Sequence, residues 1–123
     1  MAAPRLVLFA HGSQDPRWRA PFEKLLQSLA EELGTGRVRL AYMEFCAPSL
    51  LHIAAEAQLD GVREISLLPL FLAAGAHVAR DIPAQVEEAE HRYPGVRFRV
   101  LPPIGENPRV TRLLRELAIE AAP

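Results

Sequence analysis

His11, Glu44 and His77 are side chains able to hold a metal or move a proton, and each stands just behind a run of apolar residues. His11 opens His11-Gly12-Ser13-Gln14-Asp15-Pro16 behind Leu6-Val7-Leu8-Phe9-Ala10, and His77 closes Ala73-Ala74-Gly75-Ala76-His77 behind Ile65 to Leu72. Glu44 sits in Tyr42-Met43-Glu44-Phe45-Cys46-Ala47-Pro48 at the end of Val38 to Met43. Neutral imidazole is the commonest protein ligand for borderline divalent metals, and a pair of histidines leaves coordination positions open for a substrate. A carboxylate beside them can add a ligand or take up protons that a metal displaces. Plainer roles are open to each: a hydrogen-bonded loop histidine, or a capping or solvated glutamate. Asp15 has the position of a helix cap. His52 and His91 fall on helical segments, His91 in a last turn where partial positive charge is favoured, and both read as structural or solvent-facing.

Elements must bring these residues together, and the pattern supplies them. Four apolar runs alternate with four segments of helical period. The first run is almost continuously apolar, as in a strand covered on both faces; Val38 to Met43 and Val96 to Leu101 alternate arginine with apolar residues and are placed nearer the edges. Phe22, Leu25, Leu26, Leu29 and Leu33 share one helical face closed by Gly34, with Pro21 placing the regular start near itself or making residues 15–20 irregular. A second helix is expected from Pro48 to Leu59, with Leu50, Ile53, Ala54 and Ala57 inward and Gly61 after it. A third carries Ile82, Val86, Ala89 and Tyr93, with Asp81 as cap and Pro83 in its first turn. A fourth opens at Asn107-Pro108 and is expected to bury Val110, Leu113, Leu114 and Leu117.

Alternating strands and helices imply right-handed crossovers, giving an α/β fold: a three-layer α/β/α sandwich on a four-stranded, mostly parallel sheet, in one domain over 1–123. In such sheets ligands bind beyond the carboxyl ends of the strands, where strand order reverses. That rule places both histidine loops and Glu44 at one edge. The glycines Gly12 and Gly75 would let backbone approach a ligand there, and the loop amides would favour anionic groups.

Composition narrows the classes. Fourteen Lys and Arg against fifteen Asp and Glu give a net charge of −1, without the basic footprint of a nucleic-acid binder. Cys46 is the single cysteine, so neither an internal disulfide nor a zinc site of several cysteines can form within the chain. No apolar stretch approaches the roughly 20 residues of a membrane span, and Met1 to Arg5 does not lead into a signal-type segment, so the expected location is the cytoplasm with no membrane partner. No G-x-G-x-x-G, G-x-x-x-x-G-K-[ST] or G-x-S-x-G occurs in the right context, which argues against dinucleotide enzymes, P-loop NTPases and serine hydrolases.

Leu8-Phe9-Ala10-His11-Gly12-Ser13-Gln14-Asp15-Pro16, Glu44 with Pro48, and above all Leu68 through Pro83 (P-L-F-L, then G-x-H-V, then D-I-P) resemble the short single-domain sirohydrochlorin chelatases over nearly the whole chain. The resemblance implies an enzyme that inserts a divalent metal (Co²⁺, Fe²⁺ or Ni²⁺, itself a substrate) into sirohydrochlorin without an organic cofactor, in cobalamin or siroheme-type biosynthesis. It assigns the metal to His11 and His77, with His11 as proton acceptor; Glu44 is a further catalytic candidate on its place at the strand end. Gly12, Ser13, Glu44 and the loop Phe71, Leu72, Ala73, Ala74, Gly75, Ala76 would line the tetrapyrrole. In that family two halves make one site, and this length implies a homodimer, with contacts expected around Phe45, Phe71 and the helix after Pro48. Gln14 departs from the arginine common at this place, leaving Arg17 or Arg19 as possible substitutes. The competing class is a non-catalytic metal or tetrapyrrole carrier on the same loops. A histidine phosphotransferase is disfavoured, because Ala10 stands where those enzymes have arginine.

Overall fold

The computed structural model describes residues 2–73 and 75–123, and the side chain of His77 lies outside what it describes. Its strands are β1 (Arg5–Ala10), β2 (Val38–Tyr42), β3 (Glu64–Pro69) and β4 (Arg97–Val100), in the order β2-β1-β3-β4 and all parallel. The helices are α1 (Pro16–Leu33), α2 (Leu50–Leu59), α3 (Ala76–Arg92) and α4 (Pro108–Ala121). The continuously apolar run is a central strand and the arginine-alternating runs are the two edges, because only an edge gives a guanidinium a way out to solvent. Chain order reverses between β1 and β3, which pair from Arg5↔Ile65 to Phe9↔Pro69. The switch point therefore lies where the His11 and Phe71 loops emerge.

The core is built on the two faces of β1. Val7 and Phe9 pack with Ile65 and Leu67 of β3, Leu50, Ile53 and Ala57 of α2, and Ile82 and Val86 of α3. Leu8 and Ala10 pack with Leu40 and Tyr42 of β2 under Trp18, Phe22, Leu26 and Leu29 of α1. Phe9 is fully buried, and truncating such a phenylalanine to alanine costs about 3–5 kcal/mol. At the opposite edge from the switch point, buried Arg5 donates to the Gly36 carbonyl (3.0 Å) and to Asp60 (3.3 Å), while Arg39 grips Glu56 through two bonds of 2.8 and 3.0 Å. These ties fix α2 to β1 and β2.

Several boundaries differ from the sequence pattern. α1 starts at Pro16 and runs through Pro21, because the Asp15 side chain accepts from the Arg17 amide and the first proline needs no donor. Leu25 and Leu33 point outward at 42% and 43% exposure, so the covered face is narrower than the leucine count implies. α2 is capped by Ser49 and starts at Leu50 rather than Pro48. α3 begins at Ala76, not beyond Asp81: Gly75 is its N-cap, Asp81 lies inside the helix, and Pro83 is interior rather than in the first turn.

The larger difference is α4. Asn107 caps it as expected, accepting from the Arg109 amide at 2.9 Å, but the helix does not lie on the sheet. Leu113, Leu114, Leu117 and Ile119 are 54%, 47%, 52% and 58% exposed, so the expected burial of Leu113, Leu114 and Leu117 does not occur within this chain, and Val110 is only half-buried. The face of β3 and β4 that α4 would cover is instead an apolar cleft of about 550 Å³, lined by Leu68, Leu101, Pro102, Pro103, Ile104 and Val110 among others. The α1 face of the sandwich is thus half covered. Among the described residues no helix is long and apolar enough to cross a membrane.

Candidate functional site

Parallel pairing continues past the strand ends and assembles the site. The Met43 amide donates to the Ala10 carbonyl (2.9 Å) and the Glu44 amide to the His11 carbonyl (3.0 Å), so the β2 exit is laid alongside the β1 exit. His11 Nε2 consequently lies 3.2 Å from Glu44 Oε1, with the two side chains 41% and 40% exposed. On the other side of β1, the Leu70 amide donates to the Phe9 carbonyl (2.8 Å), delivering the Phe71 loop to the same edge. The segments that begin at His11, Glu44 and Phe71 therefore leave the sheet side by side at one edge.

Gly12 is buried with φ 109°, and a Cβ built there would overlap the Glu44 carbonyl oxygen. Its missing side chain is required by the close approach of the Glu44 backbone. Phe45, next to the carboxylate, has φ 70°, an uncommon and strained conformation for a bulky side chain. It turns the ring outward, 59% exposed, with its centroid 5.5 Å from that of His11 at an interplanar angle of 61°. Phe71 is half-buried and packs edge-on to Phe9, centroids 6.3 Å apart, so it anchors the loop to the core. Leu72, 59% exposed, presents the apolar surface that follows.

Ala73, Gly75 and Ala76 are exposed, and a Cβ at Gly75 would meet nothing within 4 Å; Ala74 lies outside the described residues. His77 is the second residue of α3, so it belongs to a helical first turn and not to a loop. Gly75 offers no side-chain cap there, and uncapped amides at a helix N-terminus favour anionic groups.

The arginines following Gln14 are engaged locally. Arg17 folds back onto Asp15, Nε to Oδ1 at 3.2 Å and Nη2 to Oδ2 at 3.0 Å. The Arg17 side chain and then its amide hold the Asp15 carboxyl below its ordinary value of 3.8. Arg19 donates to the Ser13 carbonyl at 2.9 Å, and Ser13 Oγ accepts from the Asp15 amide at 3.0 Å, so Arg19 props the His-Gly-Ser turn. Of the two candidates to replace an arginine at Gln14, Arg19 is the one built into the site's frame.

Sequence reasoning missed two supports. Gln85 of α3 donates Nε2 to the Met43 carbonyl at 3.1 Å, tying the helix that carries His77 to the residue before Glu44. Trp18 stacks near Phe22 (4.7 Å) and Tyr42 (6.2 Å) beneath the β2 exit, and burial pushes the Tyr42 phenol up. Neither carries a local signal, since each depends on residues distant in the chain. His52 and His91 are exposed on α2 and α3, as expected, His52 in the first turn of its helix and His91 in the last. Among the described residues no group of three or more His, Cys, Asp or Glu side chains is arranged to hold a metal. The described donors at the edge are therefore the His11–Glu44 pair, an open pair rather than a closed cage.

Comparison with known proteins decides the family, since the CbiX family model matches residues 5–121. The chain belongs to the CbiX family of sirohydrochlorin chelatases. A relative in that family, the sirohydrochlorin cobaltochelatase of Sulfurisphaera tokodaii, is 32% identical over 114 residues, 90% of this chain and 88% of that one. The crystal structure of a putative cobalamin biosynthesis CbiX protein from Marinobacter aquaeolei superposes with a TM-score of 0.84 at 41% identity, covering 96% of each chain. The sirohydrochlorin chelatase SirB from Bacillus subtilis, in complex with cobalt, shares the fold (TM-score 0.82, 21% identity); 98% of this chain covers 52% of SirB. A CbiX chain of this length thus spans about half of SirB.

Proposed function

We propose that this CbiX-family protein inserts a divalent metal, Co²⁺, Fe²⁺ or Ni²⁺, into sirohydrochlorin. The observation that carries the reading is the half-exposed His11–Glu44 pair, 3.2 Å apart, across the carboxyl ends of β1 and β2 beside the switch point. Insertion exchanges two pyrrole protons for one dication, so the site needs a ligand that delivers the metal and a base that receives protons. His11 and His77 hold the incoming metal, and Glu44, beside His11, accepts one of the two pyrrole protons while the other passes to solvent water. The macrocycle lies against the apolar side chain of Leu72 and the small residues 73–76, while its carboxylates face the amides of the His11-Gly12-Ser13 turn and the start of α3. The metal and the pathway follow from supply and geometry, since borderline metals share a preference for imidazole.

The same reading makes the active form a homodimer in the cytoplasm, each chain a single domain over 1–123. We place its principal contact on α4 rather than around Phe45 and Phe71. The exposed leucines of α4 and the open cleft over Leu68 and Leu101 are apolar surfaces that this chain leaves bare on the α1 side. The α4 of a second copy, laid in that cleft, buries both, and each leucine, already about half covered within its own chain, contributes about 1 kcal/mol.

An anaerobic absorbance assay with sirohydrochlorin and each metal in turn tests the function. Accelerated insertion with at least one metal is expected. Binding of macrocycle or metal with no acceleration over the uncatalysed rate would identify a carrier and overturn the reading.

A further inference from the structure

The loop that forms the macrocycle wall leaves β3 with Phe71 and has no strand beside it beyond Leu70, so something else must fix its backbone. A short helical turn, Ile104–Glu106, does so between β4 and α4. The Gly105 amide donates to the Phe71 carbonyl at 3.0 Å. A Cβ built at Gly105 would overlap the Leu72 carbonyl and stand 2.7 Å from the Leu72 Cα, although the backbone of Gly105 is not in the left-handed region. Glycine is therefore required there by contact and not by conformation. The turn is itself stiff: it follows Pro102-Pro103, its closing bonds run from the Glu106 amide to the Pro103 carbonyl and from the Asn107 amide to the Ile104 carbonyl, each 3.0 Å, and the Leu101 amide anchors it to the Leu67 carbonyl at 2.9 Å.

We infer that the Ile104–Glu106 turn is a brace for the Phe71-Leu72 segment that leaves β3, with Gly105 as a positioning residue that sets where the proposed macrocycle wall stands. The consequence for substrate rests on the chelatase reading; the mechanical coupling does not. Adding one methyl at Gly105 pushes the Leu72 peptide off the turn and breaks the Phe71 bond, loosening the wall while leaving His11 and Glu44 in place.

Hydrogen exchange and steady-state kinetics of the full chain test this with Gly105→Ala, with Asn107→Ala, which removes the cap that joins the turn to α4, and with Gly36→Ala as control, where a Cβ meets nothing within 4 Å. In Gly105→Ala the segment 70–76 should exchange several-fold faster than in the parent with β1 and β3 unchanged. KM for sirohydrochlorin should rise several-fold, with a smaller fall in kcat. Asn107→Ala should shift the same segment in the same direction by less, and Gly36→Ala should match the parent. Parental exchange in 70–76 and parental KM in a folded Gly105→Ala protein would overturn the brace. If that variant does not fold, parental exchange in Asn107→Ala overturns it instead. A parent chain that inserts no metal would end the chelatase reading, while the exchange measurements still decide the brace.

Discussion

A histidine and a glutamate held 3.2 Å apart at a sheet edge are useful only if each does a different part of the reaction. His11→Ala and His77→Ala are both expected to abolish most metal insertion with an unchanged circular dichroism spectrum. His11 is only half-buried, and the backbone at His77 lies in a helical turn that alanine accepts readily. Near-normal turnover in either variant would remove that residue from the mechanism. Glu44→Gln keeps the size and polarity of the side chain but cannot accept a proton; a loss on the order of 10²-fold in kcat is expected, with little change in macrocycle affinity by spectroscopic titration. Equal turnover would leave Glu44 as a structural partner of His11. That His11 and Glu44 meet at one sheet edge was legible in the sequence because strand ends are recognisable and the ligand-edge rule then does the placing. Gly12 was legible only as a special position. That it yields to the Glu44 carbonyl is a contact between two loops that no local pattern contains.

At the scale of elements, the strands and their order in depth were readable because burial dictates composition, whereas helix starts depended on competition between caps. Asp15 captured the start of α1 and kept it despite Pro21, and for α3 the proline and aspartate that look like a beginning lie inside the helix. The Asp15 cap also gives a pH signature. Its carboxyl titrates lower in the folded chain than its ordinary 3.8 because Arg17 bonds the charged form. The stability this adds is fully present above that ordinary value and is lost as pH falls through the lower, folded value. Thermal unfolding of Asp15→Asn should accordingly lie below the parent at neutral pH and converge on it in stronger acid. Because Arg17 is 91% exposed, the gap at neutral pH should also narrow in high salt. A gap that persists unchanged into acid would mean that the carboxylate charge contributes nothing to the cap.

The whole molecule is where the sequence pattern misled. An amphipathic fourth helix after a fourth strand ordinarily covers its own sheet, and the leucines at 113, 114 and 117 fit that expectation. The chain instead leaves the helix face and the matching half of the sheet bare. Periodicity reports that a face will be buried and is silent about which copy buries it. If a second copy does so, Leu113→Glu combined with Leu117→Glu should convert the protein from dimer to monomer in sedimentation at micromolar concentration. The monomer should keep the spectrum of a folded α/β domain, because neither leucine contributes to the core within one chain. Its insertion rate should fall sharply if the proposed site is shared between two copies. Parent activity per chain should fall on dilution with the same midpoint as dissociation. A parent that sediments as a monomer, or a monomeric variant that inserts metal at the parental rate, would show that one chain holds a complete site and that the α4 face serves some other contact.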